Sequence, residues 1–452
     1  MRPPTKKRSA RFNALGVVAL PCLAVAGLFT EPPAAAAQSA STGIQSGDPT
    51  NSPAWLKTTE PRQLTWGAFE FHPRLREGVV YDDNILFANT NRQSDLINQL
   101  SPGIQIIGGD RSSLRSYVSS SKDLNQSLDL TRLTPSSLVL RPSESWPNKF
   151  MLLDYSPRWQ IYTHHSANDS LDQFLTFNTV WPLSKLVVGV RQDYRYEKTT
   201  IVQAYTLGVV EQIHSEVDAG YRLNDKFSVD SAFERQQMSY PDSTNLMGFV
   251  EWKGTVSLNR QIIETFNVSL VLASGQDDVG SGLNQTFEQV GVRVRYDYSR
   301  LFSMDGSVGV EDRQFDTGRG DSVSPVFTLG ATYKPWERAY LRAGIARQQT
   351  ASLNNGYYNS SIGGYLTLHK DITDRFSLQT DLGYYQTDST PIQNIPNTSK
   401  PSDYYSVQLK GNLKLLKYLD AHASYVFRGS GLSQNNNVLQ DNQCSVQLSL
   451  HY

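Results

Sequence analysis

Two short segments carry histidine and serine at a spacing that could support nucleophilic catalysis. Residues 164–166 read His-His-Ser and are followed by Asn168 and Asp169, and residues 422–424 read His-Ala-Ser. In a hydrolase, a histidine takes the proton of a serine hydroxyl and a third group orients that histidine. The alternation of apolar and polar residues along the chain places His422 on a polar face beside a short turn, and His164 at the edge of a loop. We therefore predict that neither segment is catalytic.

Other chemistry-bearing patterns are equally sparse in this sequence. The chain has 7 histidines, and it shows no cluster of His, Cys and carboxylate residues at metal-ligand spacing and no phosphate-binding loop. The formal net charge is −1, which gives no reason to expect nucleic acid as a partner. We predict no enzyme activity, no metal site and no cofactor.

The elements that carry these residues are predicted strands with two unlike faces. From about residue 68 onward, apolar and polar residues alternate with period two, which is typical of a strand that faces two environments. In the last segment Val446, Leu448 and Leu450 alternate with Ser445, Gln447 and Ser449. Residues 410–415 and 290–298 follow the same rule, whereas a helical period of 3.6 persists nowhere.

The connections between these segments alternate in length. Short ones lie at 182–184, 223–226, 260–263, 299–301, 334–337, 371–374 and 416–417, and longer polar ones at 163–171, 239–245, 275–285, 317–322, 351–356, 388–402 and 429–441. Outer-membrane barrels have short periplasmic turns and longer outer loops, so this alternation favours an antiparallel up-and-down transmembrane β-barrel. Hydrophobic content of 39% agrees, because such a wall needs apolar residues on only one face.

Counting the hairpins gives the size of the predicted barrel. Eighteen strands are predicted at 68–82, 95–108, 149–163, 171–182, 184–198, 203–222, 226–239, 245–259, 264–275, 286–299, 302–315, 323–334, 337–349, 357–370, 374–387, 403–415, 418–428 and 441–452. An even number places both termini of the barrel on the periplasmic side. Sixteen strands remain an alternative, because residues 190–223 are less regular.

Three segments are predicted to lie outside the barrel wall. Residues 1–37 combine a basic head, an apolar stretch at 14–29 and an Ala-rich end, which indicates a secretory signal peptide cleaved near Ala37; an uncleaved anchor is the alternative. Residues 38–64 are rich in Ser, Thr, Pro and Gly and are predicted to be a flexible periplasmic leader before the barrel at 65–452. The Ser-rich segment 109–148 is interpreted as a periplasmic excursion or plug, with an extra hairpin as the alternative.

Two further features of the sequence support a predicted membrane-facing surface. Aromatic residues cluster at strand ends, where headgroup belts are expected: Trp181, Phe227, Phe266, Phe302, Trp336, Phe376 and Tyr418 beside short turns, and Tyr194, Tyr196, Tyr240, Tyr357, Tyr358, Tyr384 and Tyr404 near longer loops. The last strand also carries Val446, Leu448, Leu450 and Tyr452 at alternate positions, similar to the insertion signal that the barrel assembly machinery reads. Outer-membrane lipid and that machinery are thus predicted partners.

The polar faces of the strands are predicted to line the lumen, because a charge facing lipid is costly. The candidate pore-lining residues are Arg191, Arg195, Arg222, Lys253, Arg293, Arg295, Asp305, Arg338, Arg342, Asp381, Lys410, Lys414 and Asp420. Positive and negative charges nearly balance on this face, so strong ion selectivity is not predicted. A solvated face cross-linked by salt bridges is the alternative to a binding track.

The first predicted hairpin carries a more specific pattern. Residues 69–86 and 95–103 resemble the opening of the outer-membrane β-barrel porin family of the porin 2 type, whose first hairpin often reads P-x-x-x-x-x-x-Y-D-x-N-I-F and then l-x-P-g. Tyr81, Asp82, Asn84 and Ile85 match the first part, and residues 102–103 match the second. The resemblance implies a barrel and a porin-like role in the Gram-negative outer membrane, without naming a solute; some members of the family are thought to serve exopolysaccharide export.

These observations support three functional hypotheses. The first is a channel for passive diffusion of small hydrophilic solutes. The second is the outer-membrane component of a polysaccharide export system, which would need a wide lumen, inward aromatic residues and a periplasmic partner docking on residues 109–148. The third is a structural or surface-binding barrel whose lumen is blocked.

Overall fold

The computed structural model describes residues 64–88, 91–109, 149–201, 206–243, 246–279, 284–316, 322–351, 357–391, 402–432 and 437–451. The predicted signal peptide, all but the last residue of the predicted leader, and residues 110–148 lie outside these ranges. Among the described residues, no helix has the length and apolar character needed to cross a membrane.

Strands account for nearly all of the described chain. A three-residue strand β1 (Leu64–Trp66) precedes the eighteen strands of the wall: β2 Phe69–Asp82, β3 Asp95–Gly109, β4 Phe150–Tyr162, β5 Ser170–Pro182, β6 Leu186–Ile201, β7 Thr206–Asn224, β8 Phe227–Ser239, β9 Phe249–Ile263, β10 Phe266–Val279, β11 Gln285–Tyr296, β12 Phe302–Phe315, β13 Ser322–Trp336, β14 Ala339–Ala351, β15 Tyr357–Asp371, β16 Phe376–Pro391, β17 Ser402–Leu416, β18 Leu419–Leu432 and β19 Asn437–His451. One 3-10 turn, Ser166–Asn168, lies between β4 and β5.

These eighteen strands close into a ring. Each strand from β2 to β19 pairs antiparallel with the next, and β19 pairs back onto β2, from Gln443 opposite Asp82 to His451 opposite Arg74. β1 adds a short hairpin to β2 through a turn in which Gly67 adopts a φ of +61°, a conformation that glycine accepts without strain. The predicted eighteen-stranded antiparallel barrel is confirmed.

Turn chemistry explains one rim of the barrel. At each of three hairpins a polar side chain accepts two backbone N–H groups: Asn224 from Lys226 and Phe227, Ser299 from Leu301 and Phe302, and Thr373 from Arg375 and Phe376. Asn, Ser and Thr favour such local bonds, which close a turn in few residues. We call this end the short-turn rim, and the opposite end, with its longer connections, the loop rim.

Several predicted boundaries were wrong although the strand count was right. Residues 260–263 were predicted to be a short turn, but β9 continues to Ile263, which pairs with Phe266, so the turn consists of residues 264–265. At the loop rim, β10 extends to Val279 and β18 to Leu432, into residues predicted as loop. These extensions are polar, and the backbone ladder continues into them because its hydrogen bonds do not depend on the side chains.

Contacts across the wall identify its concave face. The guanidinium of Arg74 on β2 passes β3 and bonds Asp154 on β4, with 2.8 Å between Nη1 and Oδ2, and Arg158 on β4 reaches Glu197 on β6 at 3.4 Å. Side chains two strands apart can meet in this way where the sheet curves toward them. The polar face of the strands therefore points into the barrel.

The opposite face carries large exposed apolar side chains. Val446 is 61% exposed, Val308 60% and Leu272 50%, and each is surrounded on neighbouring strands by other apolar residues of the same face. The outward face of β19 carries Leu448 and Leu450 as predicted, whereas Tyr452 lies outside the described residues. Trp336 and Tyr418 are exposed at the short-turn rim.

Candidate functional site

The inner wall from β2 to β6 carries a dense network of paired charges. Arg74 binds both oxygens of Asp154 and also donates to Ser156 at 2.9 Å. Next to it, Arg158 donates to Asp172 at 2.7 and 3.0 Å, and the Asp172 side chain is fully buried. The bidentate contact of Arg74, and the two donors that Arg158 gives to one oxygen of Asp172, fix the geometry of these pairs. This side of the lumen is therefore a rigid, charged surface.

A second buried network lies across β10, β11 and β12. Arg313, with a side chain only 1% exposed, donates to Asp277 at 2.5 Å, to Glu311 at 2.7 Å and to Gln285 at 2.8 Å. Its guanidinium carbon also lies 4.9 Å from the centre of the Phe287 ring, a distance suited to a cation–π contact. Two carboxylates thus share one cation at this position, close to the loop rim.

The connection after β2 bends into the barrel rather than outward. Asn84 fixes this bend: its side-chain amide donates to the carbonyls of Ala88 and Gln440 at 2.9 and 2.7 Å, and its Oδ1 accepts the Ala88 N–H at 2.8 Å. Ile85 packs against Ile97 and Tyr162 of the inner wall. Residues 83–88 therefore narrow the mouth at the loop rim.

Phe87 is the most deeply buried side chain of this bend. It is fully buried against Leu439 and Tyr404, and the Tyr404 ring lies 4.6 Å from that of Tyr385. Its φ of +50° is in the left-handed region, which is strained for a bulky residue and persists only where packing enforces it. The result is an aromatic cluster on the inner face; Tyr404 belongs to it and not to the predicted outer belt.

The hairpin of β14 and β15 narrows the same mouth from another side. Pairing of β13 with β14 ends at Phe327 opposite Arg347, and beyond that point the hairpin separates from β13. Tyr358 is then buried against Phe315, with 5.2 Å between the ring centres, and its hydroxyl lies 3.3 Å from Ser322 Oγ. Tyr358 was also predicted to be in a belt, and it leaves the outer surface because its hairpin leans inward.

Twelve of the predicted pore-lining residues lie on the inner face, by their place in the strand alternation. They are Arg191, Arg195, Arg222, Lys253, Arg293, Arg295, Asp305, Arg342, Asp381, Lys410, Lys414 and Asp420. Arg338 instead lies in the turn between β13 and β14, where it is 54% exposed and bonds Asp374 at 2.5 Å. That turn belongs to the short-turn rim, so Arg338 is not on a strand wall.

Ion pairs connect many of these inner residues. Lys410 lies 3.2 Å from Asp381, Arg191 lies 2.6 Å from Asp193, and Arg195 bonds Glu197. Arg293 differs, because its buried Nε and Nη1 atoms have no hydrogen-bond partner in the part of the chain that the structure describes. Much of the inner wall is thus a cross-linked polar surface.

The histidine–serine segments bond to different groups. Asp95 is buried beneath residues 164–165 and accepts their backbone N–H groups, and its oxygens lie 3.2 and 2.8 Å from the Nδ1 atoms of His164 and His165. His422 Nδ1 is hydrogen-bonded to Asn412 Oδ1 at 2.7 Å, and the Ser424 hydroxyl is hydrogen-bonded to the Ser445 hydroxyl at 2.7 Å. These contacts fix a loop and an inner wall, and they give no reason to assign a catalytic role.

Sequence reasoning missed the two most constrained parts of the site. The Arg313 network involves residues 277, 285 and 311–313, which were read partly as loop. The inward bend had a visible signal: Ile85, Leu86 and Phe87 are apolar residues in a connection that should be polar if it faced water.

Comparisons with known proteins found distant structural likeness only. No family model matches the chain, and no curated protein matches it. Similar solved structures include Acinetobacter baumannii OccAB4 (10% identity, TM-score 0.45, covering 86% of this chain and 99% of that one), Pseudomonas aeruginosa OpdL (8%, 0.42, 86% and 99%) and Pseudomonas aeruginosa OprD (7%, 0.39, 84% and 95%). None is similar enough to assign a function to this chain.

Proposed function

We propose that this chain is a channel of the Gram-negative outer membrane that allows passive diffusion of small hydrophilic solutes. The observation that carries the proposal is the distribution of side chains around the closed ring, with exposed apolar residues outside and paired charges inside. The proposal assigns the short-turn rim to the periplasm and the loop rim to the cell exterior, as in other barrels of this kind.

The outer face favours a membrane over water. Leu270, Leu272, Val290, Val292, Val308 and Val310 form a continuous apolar surface across β10, β11 and β12, and each is between 43% and 60% exposed. Contiguous apolar surface of this extent is rare on a soluble monomer and normally contacts a partner or lipid. An apolar face that continues over successive strands is stable when it contacts the hydrocarbon core of a membrane.

The inner face favours a polar solute of limited size. The inner wall is lined by ion pairs and amides, so a solute can exchange water for hydrogen bonds as it passes. Phe87 and the leaning β14–β15 hairpin narrow the mouth, which restricts the size of what can enter. Because both signs of charge are present, we expect little selectivity between simple anions and cations.

Polysaccharide export is the second candidate, and the inward aromatic cluster is the observation that favours it. Tyr404 is half-buried on the inner face at the loop rim, beside the buried rings of Phe87 and Tyr385, and an aromatic face is suited to stacking on a sugar ring. The same residues narrow the mouth, however, which suits a small solute better than a polymer.

Conductance of the purified full chain in a planar lipid bilayer tests the proposal. A passive channel gives steady conductance without a partner, and vesicles containing it swell in small sugars faster than in oligosaccharides. Silence from protein that shows heat-modifiable migration would contradict the proposal and favour a blocked barrel. Conductance that appears only when a periplasmic partner is added would favour export.

A further inference from the structure

Three carboxylates converge where the ring closes, at the loop-rim end of the seam between β19 and β2. Asp82 ends β2, Asp83 follows it, and Asp441 faces them from β19. One oxygen from each lies within 4.8 Å of one from each of the other two. Two oxygens bound to the same Ca²⁺ ion, at about 2.3–2.6 Å each, stand at most about 5 Å apart. The spacing therefore suits a single bound ion.

Asp441 supplies a second observation that points to a cation. Its side chain is 1% exposed, and among the described residues no N–H or hydroxyl group donates a hydrogen bond to either of its oxygens. Within the described ranges its ion-pair partner is Arg428, whose Nη1 lies 3.5 Å from Oδ2. A buried carboxylate without donors is strongly unfavourable, and two further carboxylates beside it add repulsion. The Arg313 network, by contrast, gives its carboxylates direct donors.

The other two carboxylates are held in place by donors from behind. Asp82 accepts the Asn84 N–H and the Gln443 amide, both at 2.8 Å. Asp83 accepts the backbone and side-chain N–H groups of Asn442, both at 2.7 Å. Each carboxylate oxygen retains a lone pair, and hydrogen bonds that orient ligating carboxylates are a regular feature of metal sites.

We propose that Asp82, Asp83 and Asp441 bind Ca²⁺, which ties the seam of the barrel to the inward bend after β2. Hard oxygen ligands favour Ca²⁺ or Mg²⁺ over softer metals, and the spacing favours the larger ion because Mg²⁺ demands oxygens at about 2.0–2.1 Å in strict octahedral geometry. Asn84 and Phe87 lie directly beyond these ligands, so the ion also stabilises the constriction. The proposal concerns the closed barrel and holds whether or not the barrel conducts.

Binding to the refolded full chain, in detergent free of lipopolysaccharide and after chelator treatment, tests the site. We expect added Ca²⁺ to raise the temperature at which the barrel loses its heat-modifiable migration, and Tb³⁺ to bind with tyrosine-sensitised luminescence that Ca²⁺ displaces. Mg²⁺ should act at concentrations at least about tenfold higher. Asp441→Asn should weaken Ca²⁺ binding by at least about tenfold, as should Asp83→Asn if the first variant does not fold.

A matched control and the metal-free state separate a metal site from a merely structural contact. Asp374→Asn, in an exposed turn at the opposite rim, should respond to Ca²⁺ like the parent chain. Without Ca²⁺, Asp441→Asn should melt no lower than the parent, because the amide removes uncompensated charge. An equal Ca²⁺ response in the parent and in Asp441→Asn would overturn the proposal, and so would a parent that shows neither a Ca²⁺ shift nor Tb³⁺ luminescence.

Discussion

The two faces of the barrel wall reverse the usual relation between polarity and burial. On the outward face, Val308 and Val446 are more than half exposed, whereas on the inward face Arg313 and Asp172 are almost completely buried. In a soluble protein most large apolar side chains lie inside and most charged side chains lie at the surface. In this barrel, a charged side chain is buried where it pairs with other charges on the inner wall, and an apolar side chain is exposed where it faces the surroundings of the ring.

The largest expected effect comes from placing the same charge on either face. Leu329 and Thr328 are adjacent on β13 and point in opposite directions; Leu329 is 46% exposed between Gly306 and Ile345, and Thr328 lies between Ser307 and Ala346. An arginine facing the hydrocarbon midplane costs roughly 2–4 kcal/mol. We expect Leu329→Arg to prevent stable membrane assembly and Thr328→Arg to be tolerated.

Heat-modifiable migration of the two variants, expressed and fractionated in parallel, provides the measurement. The predicted result is folded Thr328→Arg in the membrane fraction and degraded or unfolded Leu329→Arg. Equal folding of both would remove the distinction between the faces, and with it the basis of the proposed function.

Much of the fold followed from local physical rules. The period-two alternation predicts that Leu329 and Thr328 face opposite sides of the sheet, without knowledge of any partner strand. The side chains of Ser299 and Thr373 close their turns by bonding backbone N–H groups two and three residues further along the chain. The ends of the strands at the loop rim were harder to predict from the sequence. The ends of β10 and β18 are polar, so their composition resembles a loop, and only pairing with β9 and β19 shows that they are strands.

The site was less predictable because its contacts are distant in sequence. The amide of Asn84 bonds the carbonyl of Gln440, 356 residues away, so the seam that holds the inward bend exists only after the ring closes. Arg313 similarly meets Asp277 across a strand. Alternation gives the face on which a charge lies; it does not give the partner that the curvature of the barrel brings to it.

The second prediction contrasts a buried inner cation with an exposed one. Arg313→Met would leave Asp277 and Glu311 buried without their cation, and breaking a buried pair in this way costs about 3–5 kcal/mol. Arg338→Met removes an exposed pair with Asp374 and should cost about 1 kcal/mol or less. Urea unfolding of the barrel in lipid vesicles measures both variants. Similar losses for the two would show that the inner network is as solvated as the turn.

A third variant tests Phe87, a large apolar side chain at the otherwise polar inner face. Phe87→Ala removes the ring that fills the mouth between Leu439 and Tyr404, and we expect single-channel conductance to rise because the constriction widens. Phe233→Ala is the matched control, since Phe233 is 53% exposed on the outward face and should leave conductance unchanged. Unchanged conductance in Phe87→Ala would place the narrowest part of the path elsewhere.

The smallest expected effect concerns Glu77, a charged side chain within the apolar outward face. Glu77 is exposed in the middle of β2, between Leu448 on β19 and Leu100 on β3, whereas other outward charges such as Arg260 lie beside the rims. An acidic side chain facing lipid costs less than a basic one but still opposes insertion. Glu77→Leu should therefore raise the free energy of unfolding by about 1 kcal/mol, and Glu77→Gln by less. Urea unfolding in the same vesicles measures the change. A loss of stability in Glu77→Leu would show that the carboxylate has a partner outside the ring, and that this part of the outward face contacts something other than hydrocarbon.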